Sequence, residues 1–186
     1  CMVLLLLVAA QAIGQTGLQF NGSNQYVTFG AATSSLGSST FTLEGWVKRT
    51  GAGATTSTGT GGVTAVPIIT KGRGEAETPA NLNCNYFFGI STNTGGLTAD
   101  FEDKSGGGNH PITSANPVLS NVWQHAAVTY SLSGTNGTWR LYTNGVLEAT
   151  ATLTNVNASV LTPEGDSIQH VALGSALDSN GSPTAY

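Results

Sequence analysis

Short apolar runs with a period of two residues recur along this chain, and each run is bounded by Gly, Asn, Ser or Pro. Such alternation places every second side chain on the same face of an extended strand, as in a β-strand with one buried face. After the first dozen residues, no convincing helical period occurs. The pattern therefore predicts an all-β fold.

The clearest local signal is the pair Asn144-Gly145, which stands between two alternating runs. A type I′ hairpin turn needs positive φ at both central residues, and Asn and Gly adopt this conformation most readily. The predicted strands are 18–20, 26–29, 41–48, 66–71, 86–91, 97–102, 123–132, the two arms of 139–149, and 168–173. About nine strands without helices predict an antiparallel two-sheet sandwich or a closed barrel.

The charge of the chain is low and slightly negative. Charged residues make up 9% of the 186 residues, the formal net charge is −4, and only six residues are Lys or Arg. Without a cationic stripe, nucleic acid and anionic membrane surfaces are poor partners. A chain of this length suffices for one domain, and its many Gly, Ser, Thr and Asn residues suit an extracellular β protein.

The N-terminal segment has the features of a targeting sequence. Residues 2–10 form an apolar run of the length of a signal-peptide core, too short to span a bilayer, so no membrane insertion is expected. Small residues at Ala10 and Ala12 predict cleavage after Ala12, which makes residues 1–12 a signal-peptide remnant and the protein secreted or displayed at the cell surface. A buried first strand is the alternative. Cleavage would leave Cys84 alone, and its alternation with Tyr86 and Phe88 indicates a buried structural thiol.

The order of the strand segments resembles a known family. The segments are LQFNGSNQYVTF at 18–29, FTLEGWVKRTG at 41–51, IITKG at 68–72, YFFGIS at 86–91, VWQHAAVTYS at 122–131 and TWRLYTNGVLEAT at 138–150. From about Gly17 to its end, the chain resembles a laminin G-like, concanavalin A-like jelly-roll domain. The resemblance implies an antiparallel sandwich of two sheets that binds a glycan or an extracellular protein. It also implies further domains in the same polypeptide.

The C-terminus departs from the family pattern. Such domains close with a strand similar to Phe-Asp-Gly-x-Ile-Asp-Glu-Val, which follows a Gly-rich segment. Here the sequence stops after the segment 180–186. The resemblance therefore implies that residues 17–186 form a jelly-roll domain that lacks its closing C-terminal strand.

An enzyme of the same fold is the main alternative to a binding module. Glycoside hydrolases of this fold place paired carboxylates on one face of a strand. Asp100 and Glu102 share a face, but Asp103 is out of phase, and an exposed acidic strand end is the simpler interpretation. We therefore predict a non-catalytic recognition or adhesion module, with a glycoside hydrolase or a structural spacer domain as alternatives. No catalytic residue is assigned.

Two binding features remain open at this level. The resemblance implies a calcium ion near the first turn, where Asn21 and Asn24 would be its ligands, although calcium prefers six to eight oxygens and a plain turn is the alternative. The three tryptophans could stack on sugar rings or anchor the core, and the core is the commoner outcome. They are Trp46, Trp123 and Trp139. The sequence names no ligand-binding residue beyond these.

Overall fold

The structure is a computed structural model that describes residues 17–74 and 83–183. The predicted signal segment 1–12 lies outside the described residues. Within them the chain forms eleven strands and one turn of 3₁₀ helix, Ala158–Leu161. The strands are β1 Val27–Thr28, β2 Phe41–Val47, β3 Thr56–Ser57, β4 Thr64–Lys71, β5 Tyr86–Ser91, β6 Gly96–Asp100, β7 Ile112–Pro117, β8 Gln124–Ser133, β9 Asn136–Thr143, β10 Val146–Thr154 and β11 Val171–Leu173.

The strands form two antiparallel sheets. The larger sheet has the order β1-β11-β4-β5-β6-β7, with the short β3 paired to β4, and the four-stranded sheet has the order β10-β9-β8-β2. All paired strands run antiparallel. The predicted all-β sandwich of two antiparallel sheets is confirmed. No helix in the described part of the chain is long and apolar enough to cross a membrane.

The main core lies between the two sheets and is built from the alternating apolar side chains. Trp139 and Tyr130 pack at its centre, with ring centroids 4.6 Å apart and Phe101 against both rings. Their polar atoms are also satisfied: the Tyr130 hydroxyl donates to the Leu161 carbonyl at 2.6 Å, and Trp139 Nε1 donates to the His110 carbonyl at 3.0 Å. Buried aromatic rings with satisfied polar atoms give this core large apolar area without a desolvation penalty.

The far side of the larger sheet is buried as well. A second apolar cluster forms there from Val63, Ala65, Cys84, Phe87 and Ala176. Part of its cover is the segment that follows β3, because a Cβ at Gly62 would lie 2.7 Å from Asp100 Oδ2 at the end of β6. The larger sheet is thus closed on both faces, whereas the four-stranded sheet is covered on its inner face. Cys84 is fully buried, as the sequence predicted.

The local predictions hold where alternation is strong. β5 has its predicted bounds, and the hairpin turn has φ of 52° at Asn144 and 78° at Gly145. Residues 18–20 are not a strand, and the mixed polar strand β7 was not predicted. β1 pairs with β11. The predicted lack of a closing C-terminal strand stays a prediction.

Candidate functional site

One broad sheet face is open to solvent: the outer face of the four-stranded sheet. Because strand side chains alternate, the residues opposite the core all point to this side. Their exposure follows the same alternation along β2 and β9, and along β8 except at Ala127, which is buried. We call this surface the outer face. It consists of Thr42, Glu44 and Trp46 on β2, His125, Ala127, Thr129 and Ser131 on β8, Thr138, Arg140 and Tyr142 on β9, and Thr150 and Thr152 on β10.

One end of the outer face carries aromatic side chains. Trp46 is 65% exposed although it lies within a regular strand. Its register partner on β8 is His125, and the two rings meet edge to face with centroids 5.6 Å apart. His125 Nε2 lies 3.8 Å from Glu44 Oε2, and Tyr142 follows diagonally on β9, opposite Ala127. Trp46 therefore presents a ring to solvent, with polar groups at its edge that can form hydrogen bonds.

The other end of the outer face is a shallow depression of about 450 Å³. Arg140 lies in it, flanked by its register partner Thr129 on β8, which in turn pairs with Thr42 on β2. The remaining lining comes from Thr40, Phe41, Tyr130 and Ser131. The side chains that line the depression thus combine one guanidinium group with several hydroxyls.

The distribution of the three tryptophans differs from the expected one. Trp139 is fully buried in the core, as expected, but Trp46 and Trp123 are 65% and 54% exposed. The indole of Trp123 lies against Gly17, so its ring supports the N-terminal segment. Core anchoring is therefore wrong for two of the three tryptophans. The sequence did carry a signal for Trp46, which alternates in phase with Thr42 and Glu44.

The acidic pair at the end of β6, Asp100 and Glu102, is buried, so the expected exposed strand end is wrong. Asp100 and Glu102 both have 0% exposure and lie on the far side of the larger sheet. Asp100 Oδ2 accepts a 2.5 Å hydrogen bond from Thr58 Oγ1, and Asp100 Oδ1 accepts one from the His110 amide. Burial raises the pKa of Asp100 to about 7, although these hydrogen bonds lower it. Glu102 accepts a hydrogen bond from the Cys84 amide. The pair therefore holds covering loops to the sheet.

The predicted calcium ligands lie together in one turn. Asn21 Nδ2 donates to Asn24 Oδ1 at 2.7 Å, and Asn21 Oδ1 accepts from the amides of Ser23 and Asn24. Both carboxamide oxygens are thus already used within the turn, and two such oxygens fall short of a calcium shell of six to eight. Within residues 17–74 and 83–183, no group of three or more His, Cys, Asp or Glu side chains could hold a metal. The calcium site stays a prediction.

Comparison with known proteins places the chain in a family. A family model described as the concanavalin A-like lectin/glucanases superfamily matches residues 21–181. The chain belongs to this superfamily, which confirms the resemblance seen in the sequence. A search of curated proteins found no match.

Solved structures show the same fold at low sequence identity. The CBM40 carbohydrate-binding module of the Ruminococcus gnavus IT-sialidase, bound to α2,3-sialyllactose, is 14% identical, with a TM-score of 0.50. The match covers 78% of this chain and 68% of that one. A second structure of this module is 13% identical, has a TM-score of 0.44, and matches over 80% of this chain and 76% of that one. The first of these likenesses shows a shared fold.

Proposed function

We propose that this protein is a non-catalytic module that binds carbohydrate on the outer face of the four-stranded sheet. The observation that carries the proposal is Trp46, a large aromatic side chain held 65% exposed on a regular strand. An exposed indole of this kind suits the apolar face of a sugar ring, because its apolar ring can be buried against the sugar. Membership of the lectin and glucanase superfamily supports a carbohydrate ligand.

The neighbouring side chains supply the hydrogen bonds that a sugar needs. His125 and Glu44 lie beside the indole, and hydroxyl side chains cover much of the remaining outer face. Sugar hydroxyls both donate and accept hydrogen bonds, and Thr, Ser and His side chains can do the same. The Ruminococcus gnavus module has a similar fold and binds a glycan, which also supports a carbohydrate ligand.

A non-catalytic role fits the placement of the acidic residues. Asp100 and Glu102 are the closest sequence match to a hydrolase pair, and both are enclosed on the far side of the larger sheet. A polysaccharide would have to displace the segment around Thr58 and Gly62 to reach Asp100. Secretion, attachment to further domains, and an extracellular protein as a second partner belong to the same proposal, and they rest on the apolar leader and the family.

The experiment is a binding measurement on a glycan array, followed by titration calorimetry with the best ligand. Trp46→Ala should weaken binding about tenfold to a hundredfold, because a large aromatic side chain gains about 1.5–3 kcal/mol from burial. Phe29→Ala is the matched control, since Phe29 is 52% exposed but follows β1 of the larger sheet, where its amide donates to the Val171 carbonyl. Equal affinities for the protein and Trp46→Ala, or glycan release by the unaltered protein, would overturn the proposal.

A further inference from the structure

The two ends of the outer face differ in chemistry. Trp46 and His125 form one cross-strand row with Asn144, and Arg140 lies four residues before Asn144 on β9. At about 3.4 Å per residue, these rows are about 14 Å apart along the strands. A ligand stacked on Trp46 can therefore extend toward Arg140 when it has more than one ring.

The charge of Arg140 is not balanced by a neighbouring carboxylate. Within residues 17–74 and 83–183, no acidic oxygen lies within 4 Å of its guanidinium. Glu44 is two strands away and lies beside His125. Glu148 accepts a 2.5 Å hydrogen bond from Asn116 Nδ2 on β7 of the larger sheet. Neither of the two acidic side chains of this sheet thus pairs with Arg140.

The surroundings of Arg140 add hydroxyl groups. Thr42, Thr129 and Ser131 line the same depression, and their hydroxyls form no hydrogen bond with the rest of the described chain. A guanidinium group only donates hydrogen bonds, and a hydroxyl can also donate. Several donors around one open space match a ligand group that only accepts, and an ionised carboxylate is such a group.

We propose that the depression around Arg140 binds the carboxylate of an acidic oligosaccharide, another ring of which stacks on Trp46. This inference rests on the proposed function and names the ligand class that the outer face selects. The planar guanidinium can hold both oxygens of a carboxylate at once, which a lysine cannot do. Hexuronic acids and sialic acids share this group, so the test has one arm for each source.

The experiment measures affinity for ligand pairs that differ in the carboxylate. The uronate arm compares oligogalacturonate with its methyl ester, and the sialic acid arm compares sialyllactose with lactose. The protein should bind the carboxylated member of at least one pair about tenfold to a hundredfold more tightly, as expected for hydrogen bonds to a charged group. Because Arg140 is exposed, the preference should weaken as the salt concentration rises.

Arginine variants decide the role of Arg140. Arg140→Gln should abolish the preference for the carboxylated ligand, and Arg140→Lys should retain part of it. Arg49→Gln is the matched control: it removes the same charge outside the depression, where Arg49 Nε donates to the Gly51 carbonyl. Melting temperatures of the variants check their folding.

The outcomes separate this inference from the proposed function. If Trp46→Ala loses glycan binding but Arg140→Gln keeps the same ratio of acidic to neutral affinity, carbohydrate binding stands and the acidic ligand is refuted. Preference for the neutral members of both pairs refutes it equally. If neither pair nor any neutral glycan binds, the proposed function fails, and this inference fails with it.

Discussion

Replacing Asp100 by Asn should remove a pH dependence of stability that this buried carboxyl creates. The pKa of Asp100 rises from 3.8 to about 7, chiefly because burial disfavours the charged form. Between pH 4 and pH 7 the unfolded chain releases this proton while the folded protein keeps it. The unfolded state therefore binds fewer protons, and the free energy of unfolding falls as the pH rises through this window and levels off above about 7.

The magnitude follows from the difference between the two pKa values. Each unit of difference corresponds to about 1.4 kcal/mol, so the side chain lowers the free energy of unfolding by about 4 kcal/mol between pH 4 and pH 7.5. Asn cannot ionise, and its amide oxygen can still accept from the amides of Phe101 and His110. Its amide nitrogen can donate to Thr58 Oγ1, which has a second lone pair beside the one used by the Val63 amide.

Urea unfolding at a series of pH values, followed by tryptophan fluorescence, measures this difference. The free energy of unfolding of Asp100→Asn minus that of the unsubstituted protein should increase by about 4 kcal/mol from pH 4 to pH 7.5. Burial likewise raises the pKa of Glu164 to about 7, so the comparison between the two proteins, not either curve alone, isolates Asp100.

Thr58→Val is a second variant. Loss of its hydrogen bond should raise the pKa of Asp100 further and extend the decline in the free energy of unfolding to higher pH. Parallel curves for Asp100→Asn and the unsubstituted protein would refute the reasoning.

Three further predictions concern packing and calcium. Gly62→Ala should destabilise the fold because an added Cβ would lie 2.7 Å from Asp100 Oδ2. Gly45→Ala should stabilise the fold by about 0.5–1 kcal/mol, since no atom lies within 4 Å of an added Cβ there. Thermal melting of both variants tests this contrast. Tyr130→Phe should cost about 1–3 kcal/mol in urea unfolding, because a buried carbonyl loses its donor; an unchanged midpoint would contradict it. Bound calcium should raise Tm relative to chelator, and equal values would remove the metal from the account.

The fold was predictable because its strands are encoded locally. Alternating apolar residues gave the faces of β2 and β8, and Asn144-Gly145 gave the turn between β9 and β10. β7 was missed because its sequence, ITSANP, is short, largely polar and ends in proline. For such strands, pairing with a neighbour decides the conformation more than the sequence of the segment does.

The candidate site was predictable only in part. Alternation indicated that Trp46 shares a face with polar residues, but the local pattern does not show whether loops from elsewhere in the chain cover that face, as they do at Asp100. Arg140 was not singled out, because its significance depends on neighbours from β8 and β2 that are distant in the chain. The burial of Asp100 and Glu102 likewise depends on loops that fold over the sheet from elsewhere.

The most direct test of a binding site on the outer face is a two-dimensional NMR titration with a bound glycan. Chemical shifts should change at the Trp46 indole and at the backbone amides around His125, Thr129 and Arg140, while the signals of Thr58 and Asp100 should stay in place. Shift changes confined to the far side of the larger sheet, or none at saturating glycan, would contradict it.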